Sequence, residues 1–160
     1  MKFLDRLDRA IERGNQRADA RLQAEAQKSL SQGDLKRLHS ECRLELCEHI
    51  ETCLKTLADR FPGFDYGTIL TENGWGARIS RDDLSLRRGG SSSLYSRLEM
   101  TISPLGSAPI IDLVAKATIR NKELFSRTHF QRLEQVDTDS FREMIDLWVL
   151  EFAEQFAAAM

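Results

Sequence analysis

Leu94-Tyr95-Ser96-Arg97-Leu98-Glu99-Met100-Thr101-Ile102-Ser103 is the stretch whose reading decides the fold. Leu94, Leu98, Met100 and Ile102 fall on one side of an extended chain, and Tyr95, Arg97, Glu99 and Thr101 on the other. This period of two marks a strand with one buried and one wetted face. Past the Pro104–Pro109 turn the pattern returns over Ile110–Arg120, with Ile111, Leu113, Ala115, Ala117 and Ile119 inward. Asn121-Lys122 is the expected hairpin turn, followed by a more polar edge strand over Leu124–Leu133. Upstream, Trp75–Ser80 and Leu84–Arg87 read as strands flanking a tight turn at Asp82-Asp83. Arg88–Ser93 is the glycine- and serine-rich connection to Leu94, and residues 62–74, with Gly63, Gly67, Asn73 and Gly74, read as a loop.

Helices lie on either side of this block. Residues 34–60 place Leu35, Leu38, Cys42, Leu46, Ile50, Cys53 and Leu57 on one face, continued by Phe61, and end at Pro62-Gly63. From Asp137-Thr138-Asp139-Ser140 onward, Phe141, Met144, Ile145, Trp148, Phe152 and Phe156 form a second wide apolar face, with a cap at Asp139 or a neighbour. Residues 2–30 are also helical in composition. Ser31-Gln32-Gly33 is a break, and Asp34 is placed to cap the next helix. The fold class that follows is α+β: a two-layer sandwich of a four- to five-stranded antiparallel sheet covered on one face by helices, in the order α-α-β-β-β-β(-β)-α. Residues 1–33 form an N-terminal helical arm and 34–160 a single α+β domain.

With 160 residues, the chain is long enough for one domain with a substantial core. Its net charge of −2 exerts no global pull toward nucleic acid or membrane. No apolar stretch follows the first residues, because Asp5, Arg6, Asp8 and Arg9 interrupt at once; no secretory signal is read there. The three cysteines, Cys42, Cys47 and Cys53, sit on one helix in positions that cannot pair within it, and point to reduced thiols in a cytoplasmic setting. Charge is segregated: residues 75–133 hold ten Arg/Lys against five Asp/Glu, and 134–160 hold seven acids against one Arg.

No catalytic motif or phosphate loop is present. On helix 34–60, His39, Cys42, His49 and Cys53 share a face, but the rise of ~1.5 Å per residue sets the two His/Cys pairs about 15 Å apart. One ion cannot take all four; each pair needs a partner from elsewhere, and the sequence names none, so no metal or cofactor is assigned. Arg87–Ser93 resembles an anion-holding loop only in its glycines and arginines. The ridge Arg6, Arg9, Arg13, Arg17 is balanced by Asp5, Asp8, Glu12 and Asp19, so nucleic acid is not favoured.

Phe3, Leu4, Leu7 and Ile11 form an apolar stripe at the start of the first helix and need cover. The expectation is a non-enzymatic protein-interaction or assembly module, in which this stripe contacts a protein partner or a second copy. Arg97, Lys116, Arg120 and Arg127, on an open and basic sheet face, would meet an acidic surface. The alternative is a small anionic-ligand-binding domain or enzyme with its site on that polar sheet face near His129. His129 is there expected to share the face of Arg127, Arg97, Glu99, Asp112 and Lys116.

Overall fold

The computed structural model describes residues 2–87 and 90–160, with side chains apart from those of 26–31, 85–87, 91 and 92. Five strands form one antiparallel sheet: β1 (Asp65–Thr71), β2 (Gly74–Arg87), β3 (Gly90–Ile102), β4 (Ile110–Ile119) and β5 (Lys122–Arg132), paired in chain order as a meander. Helix α1 (Phe3–Arg60) precedes the sheet and α2 (Thr138–Ala159) follows it. The fold class read from the sequence is the one observed. The two N-terminal helical segments run on as α1, without the break expected at Ser31–Asp34; Asp34 bonds Arg37 one turn later instead of capping a new helix. The chain divides into two units, Met1–Arg37 and Leu38–Met160.

In the second unit, β3 and β4 show why the alternation was so clear. Leu98, Met100 and Ile102 pair with Ala117, Ala115 and Leu113, and on the other side Leu98 and Met100 pair with Ile79 and Ala77 of β2. Directly paired residues share a face, so these side chains make one continuous apolar layer, and all are buried. The cover comes from two helical segments. Leu46, Ile50, Leu54 and Leu57 of α1 are buried, as are Phe141, Ile145, Trp148, Val149, Phe152 and Phe156 of α2. Asp137 caps α2, its Oδ1 accepting from the amides of Asp139 at 3.1 Å and Ser140 at 3.4 Å. At the C-terminal end of α1, Phe61 and Phe64 meet Phe156 edge-to-face, with ring centroids 5.0 and 4.9 Å away.

Three local expectations change. Residues 65–71 are a strand, not loop: β1 pairs with β2 from Asp65↔Ser80 to Thr71↔Gly74. Asp82-Asp83 is not a turn; β2 runs straight through, with Asp82 opposite Tyr95. Asp83 accepts from Arg81 Nε at 2.8 Å, while the Arg81 guanidinium lies over Phe64 and Phe156 and donates to the Pro62 carbonyl. Asp83 therefore tethers an arginine to the aromatic cluster, while Asp82 accepts from the Ser93 hydroxyl. The β4–β5 turn is Arg120-Asn121, one residue earlier than expected, with φ of 48° and 69° as a two-residue type I′ hairpin demands. Asn121 extends the ladder: its amide donates to the Tyr95 carbonyl, its Oδ1 accepts from the Tyr95 amide and its Nδ2 donates to the Ser93 carbonyl.

Gly76 is the position where backbones approach most closely: a Cβ built there falls 1.9 Å from the Met100 carbonyl oxygen. Only β2–β3 separation would relieve that clash. Gly76→Ala is expected to lower the unfolding free energy by about 2 kcal/mol or more. Gly14→Ala, in the interior of α1 with nothing within 4 Å of the new methyl, is expected not to destabilise. Urea unfolding of the two variants checks both signs.

Candidate functional site

Three surfaces carry the chemistry. The first lies in the unit Met1–Arg37. Phe3, Leu4, Leu7 and Ile11 are 78, 65, 41 and 55% exposed. Every other side chain from 2 to 25 is exposed too, except half-buried Ala18. A helix draws most of its stability from packing an apolar face, and so many polar residues supply little of it. The stripe is thus an apolar surface exposed along its length.

The second surface is the uncovered face of the sheet. Register places Arg78 of β2, Glu99 of β3 and Lys116 of β4 side by side across three strands. Arg97 bonds Glu99 along its own strand. These residues line a shallow depression of about 560 Å³, together with Thr101 and Ile69. Glu99 sits among three cations and balances part of their charge.

The five residues expected to share this face do not. Arg97 and Lys116 are on it. Arg127 and His129 pair with Ala115 and Leu113, which puts them on the opposite face, under α2. Arg127 forks onto Glu151 of α2, and the His129 ring meets Phe141 edge-on at 4.8 Å. Arg120 sits in the β4–β5 turn, its guanidinium donating to the Ala159 carbonyl. Asp112 and Glu99 stay on the open face. The charge segregation is in part satisfied within the molecule, where Arg127 of the basic sheet meets Glu151 of the acidic helix; Arg142, the one Arg of that helix, bonds Glu45 of α1. Of the Arg87–Ser93 loop, Arg88 and Gly89 lie outside the described residues, and Gly90–Ser93 begin β3.

The third surface was only half foreseen. Across the helical layer, α1 and α2 leave a groove of about 550 Å³ lined mainly by Leu57, Val149, Leu150, Ala153, Thr56 and Phe61. At its edge, His49 and Cys53 of α1 meet Asp146 of α2. His49 Nε2 is 2.8 Å from Asp146 Oδ1 and 3.6 Å from Cys53 Sγ, and Sγ is 3.4 Å from the same Oδ1. Burial, with the hydrogen bond to Asp146 adding to it, pushes the Cys53 thiol up to about 12. Asp146 was missed because it comes from a helix 93 residues further on and looks like any solvated acid there. The other His/Cys pair behaves differently. Cys42 is core, and His39 is 4% exposed and donates through Nε2 to the Ser103 carbonyl at 3.1 Å.

Family models, curated proteins and solved structures give no match to this chain. Among the described residues, no helix is long and apolar enough to cross a membrane.

Burial, reinforced by the nearby Arg43 charge, lowers the His39 pKa below its ordinary 6.5 despite the Ser103 bond. The unfolded chain therefore takes up this proton first. Its stabilising effect is complete above the ordinary value and is lost as pH falls through the depressed one. Unfolding free energies measured between pH 7.5 and 5 are expected to fall more steeply for the parent than for His39→Gln.

Proposed function

We propose that the protein is a non-enzymatic interaction or assembly module whose contact surface is the apolar stripe of α1. The observation that supports this is the exposure of Phe3, Leu4, Leu7 and Ile11 together on one helix face. Four large apolar side chains in a row on a helix of otherwise exposed residues match what amphipathic helices present to a protein groove, anchors spaced three and four residues apart. A membrane surface suits the stripe less well, because the polar face mixes Arg6, Arg9 and Arg13 with Asp5, Asp8 and Glu12 instead of being basic throughout. A second copy of the chain is the simplest partner, and the cytoplasm is the setting we assign to it.

The alternative, an anionic ligand bound near His129, has less behind it. His129 and Arg127 are engaged with α2, so a ligand on the open face would have Arg78, Arg97 and Lys116 and would compete with Glu99 for them.

Replacing Leu7 and Ile11 by Glu in the full chain tests the leading reading. Sedimentation velocity is expected to show a defined oligomer for the parent and a monomer for L7E/I11E, with unchanged far-ultraviolet dichroism. Equal masses for parent and variant would remove the stripe as the surface of self-association.

A further inference from the structure

From the meeting of His49, Cys53 and Asp146 we infer that this protein has a binding site for a zinc-class transition-metal ion, with three protein ligands and a fourth position left for water. The helix supplies the first half. Residues four apart on α1 stand one turn above another on the same face, so the imidazole of His49 and the thiol of Cys53 point at a common spot. The packing of α2 against α1 supplies the rest, bringing the Asp146 carboxylate to that spot.

The distances are those of a ligand set. With bonds of about 2.3 Å to sulfur and about 2.0–2.1 Å to nitrogen and oxygen, a tetrahedral ion sets its sulfur about 3.6 Å from the other two donors and nitrogen about 3.3 Å from oxygen. Here the sulfur lies 3.6 Å from Nε2 and 3.4 Å from Oδ1. The nitrogen–oxygen distance is the hydrogen-bonded 2.8 Å, so loading the ion asks the imidazole and carboxylate to part by about half an ångström. Cys53 and Asp146 both border the groove between the helices, and His49 and Asp146 are part-exposed, so an ion can enter.

A competing reading of these residue types is a nucleophilic cysteine with its base and orienting acid. That arrangement needs the imidazole to bridge, one nitrogen toward the thiol and the other toward the carboxylate. Here the same Nε2 faces both. Convergence on one atom suits a metal and defeats a relay.

Ligand chemistry selects the ion. One thiolate, one imidazole and one carboxylate on a four-coordinate frame suit Zn²⁺, and Co²⁺ as its spectroscopic substitute. Mg²⁺ and Ca²⁺ take all-oxygen shells of higher coordination. Thr52 and Thr56 line the same groove, their hydroxyls donating to the carbonyls of Glu48 and Thr52.

The test uses the full chain stripped with a chelator and titrated with CoCl₂. The expected result is saturation at one equivalent, with thiolate-to-cobalt charge transfer, intense visible bands of tetrahedral cobalt, and displacement by ZnCl₂. Cys53→Ser should abolish the charge transfer. Asp146→Asn should weaken Zn²⁺ binding by more than about tenfold, since loss of an outer-shell partner alone costs 10–100-fold. Cys47→Ser should change nothing, because Cys47 bonds the Trp75 carbonyl away from the cluster. Unchanged thermal unfolding of the metal-free variants guards against a folding defect. No saturable binding, an octahedral spectrum without charge transfer, or a Cys53→Ser variant that binds like the parent would overturn the site.

Discussion

A meander of five strands with one apolar face must put that face under cover, and everything else in the second unit answers to this constraint. Alternation along β3 and β4 concentrates Leu98, Met100, Ile102, Leu113, Ala115 and Ala117 on one side of the sheet. Burying this layer removes apolar surface from water at roughly 25 cal/mol for each Å². No single helix is wide enough to do it. The C-terminal stretch of α1 and the whole of α2 share the task. Because they share it, side chains meet that are far apart in the chain: Arg142 with Glu45, Phe61 with Phe156, and Asp146 with His49 and Cys53. The groove and the donor cluster are by-products of how the sheet is covered.

The same constraint explains which features could be read from the sequence. The central strands were legible because their inner positions are uniformly apolar and their outer positions uniformly polar. β5 was not. Phe125 and Phe130 have opposite parity, so no single period-two face is apolar, and the inner positions near the sheet edge hold Arg127, His129 and Gln131. They are tolerated there because α2 offers partners, Glu151 to Arg127 and the Phe141 ring to His129. Polarity alone put these residues on the wrong face. β1 was hidden by Gly67 within it, by Gly63 and Gly74 on either side, and by being an edge strand that must bury little. Asp82-Asp83 had the composition of a turn, yet Arg81 gives Asp83 a role inside a strand.

The candidate site was half legible for a related reason. Helical spacing tied His49 to Cys53 and separated them from His39 and Cys42. It could not supply Asp146, since packing between helices distant in sequence leaves no local trace. The apolar stripe at Phe3–Ile11 was fully legible, being a property of one helix. Its exposure is what sets it apart from the apolar helix faces of the second unit, which are buried. Fold and proposed contact surface therefore occupy different parts of the chain, and the residues that build one do not serve the other.

Amide hydrogen exchange of the full chain, followed at several protein concentrations, tests this division most directly. Amides of residues 94–102 and 110–119 are expected to be strongly protected at every concentration, since they belong to the two central strands of the sheet. Amides of residues 3–22 are expected to exchange rapidly when dilute and to gain protection as concentration rises and the stripe finds a second copy. Protection of residues 3–22 that is strong and independent of concentration would contradict this, because the stripe would then be covered within a single molecule.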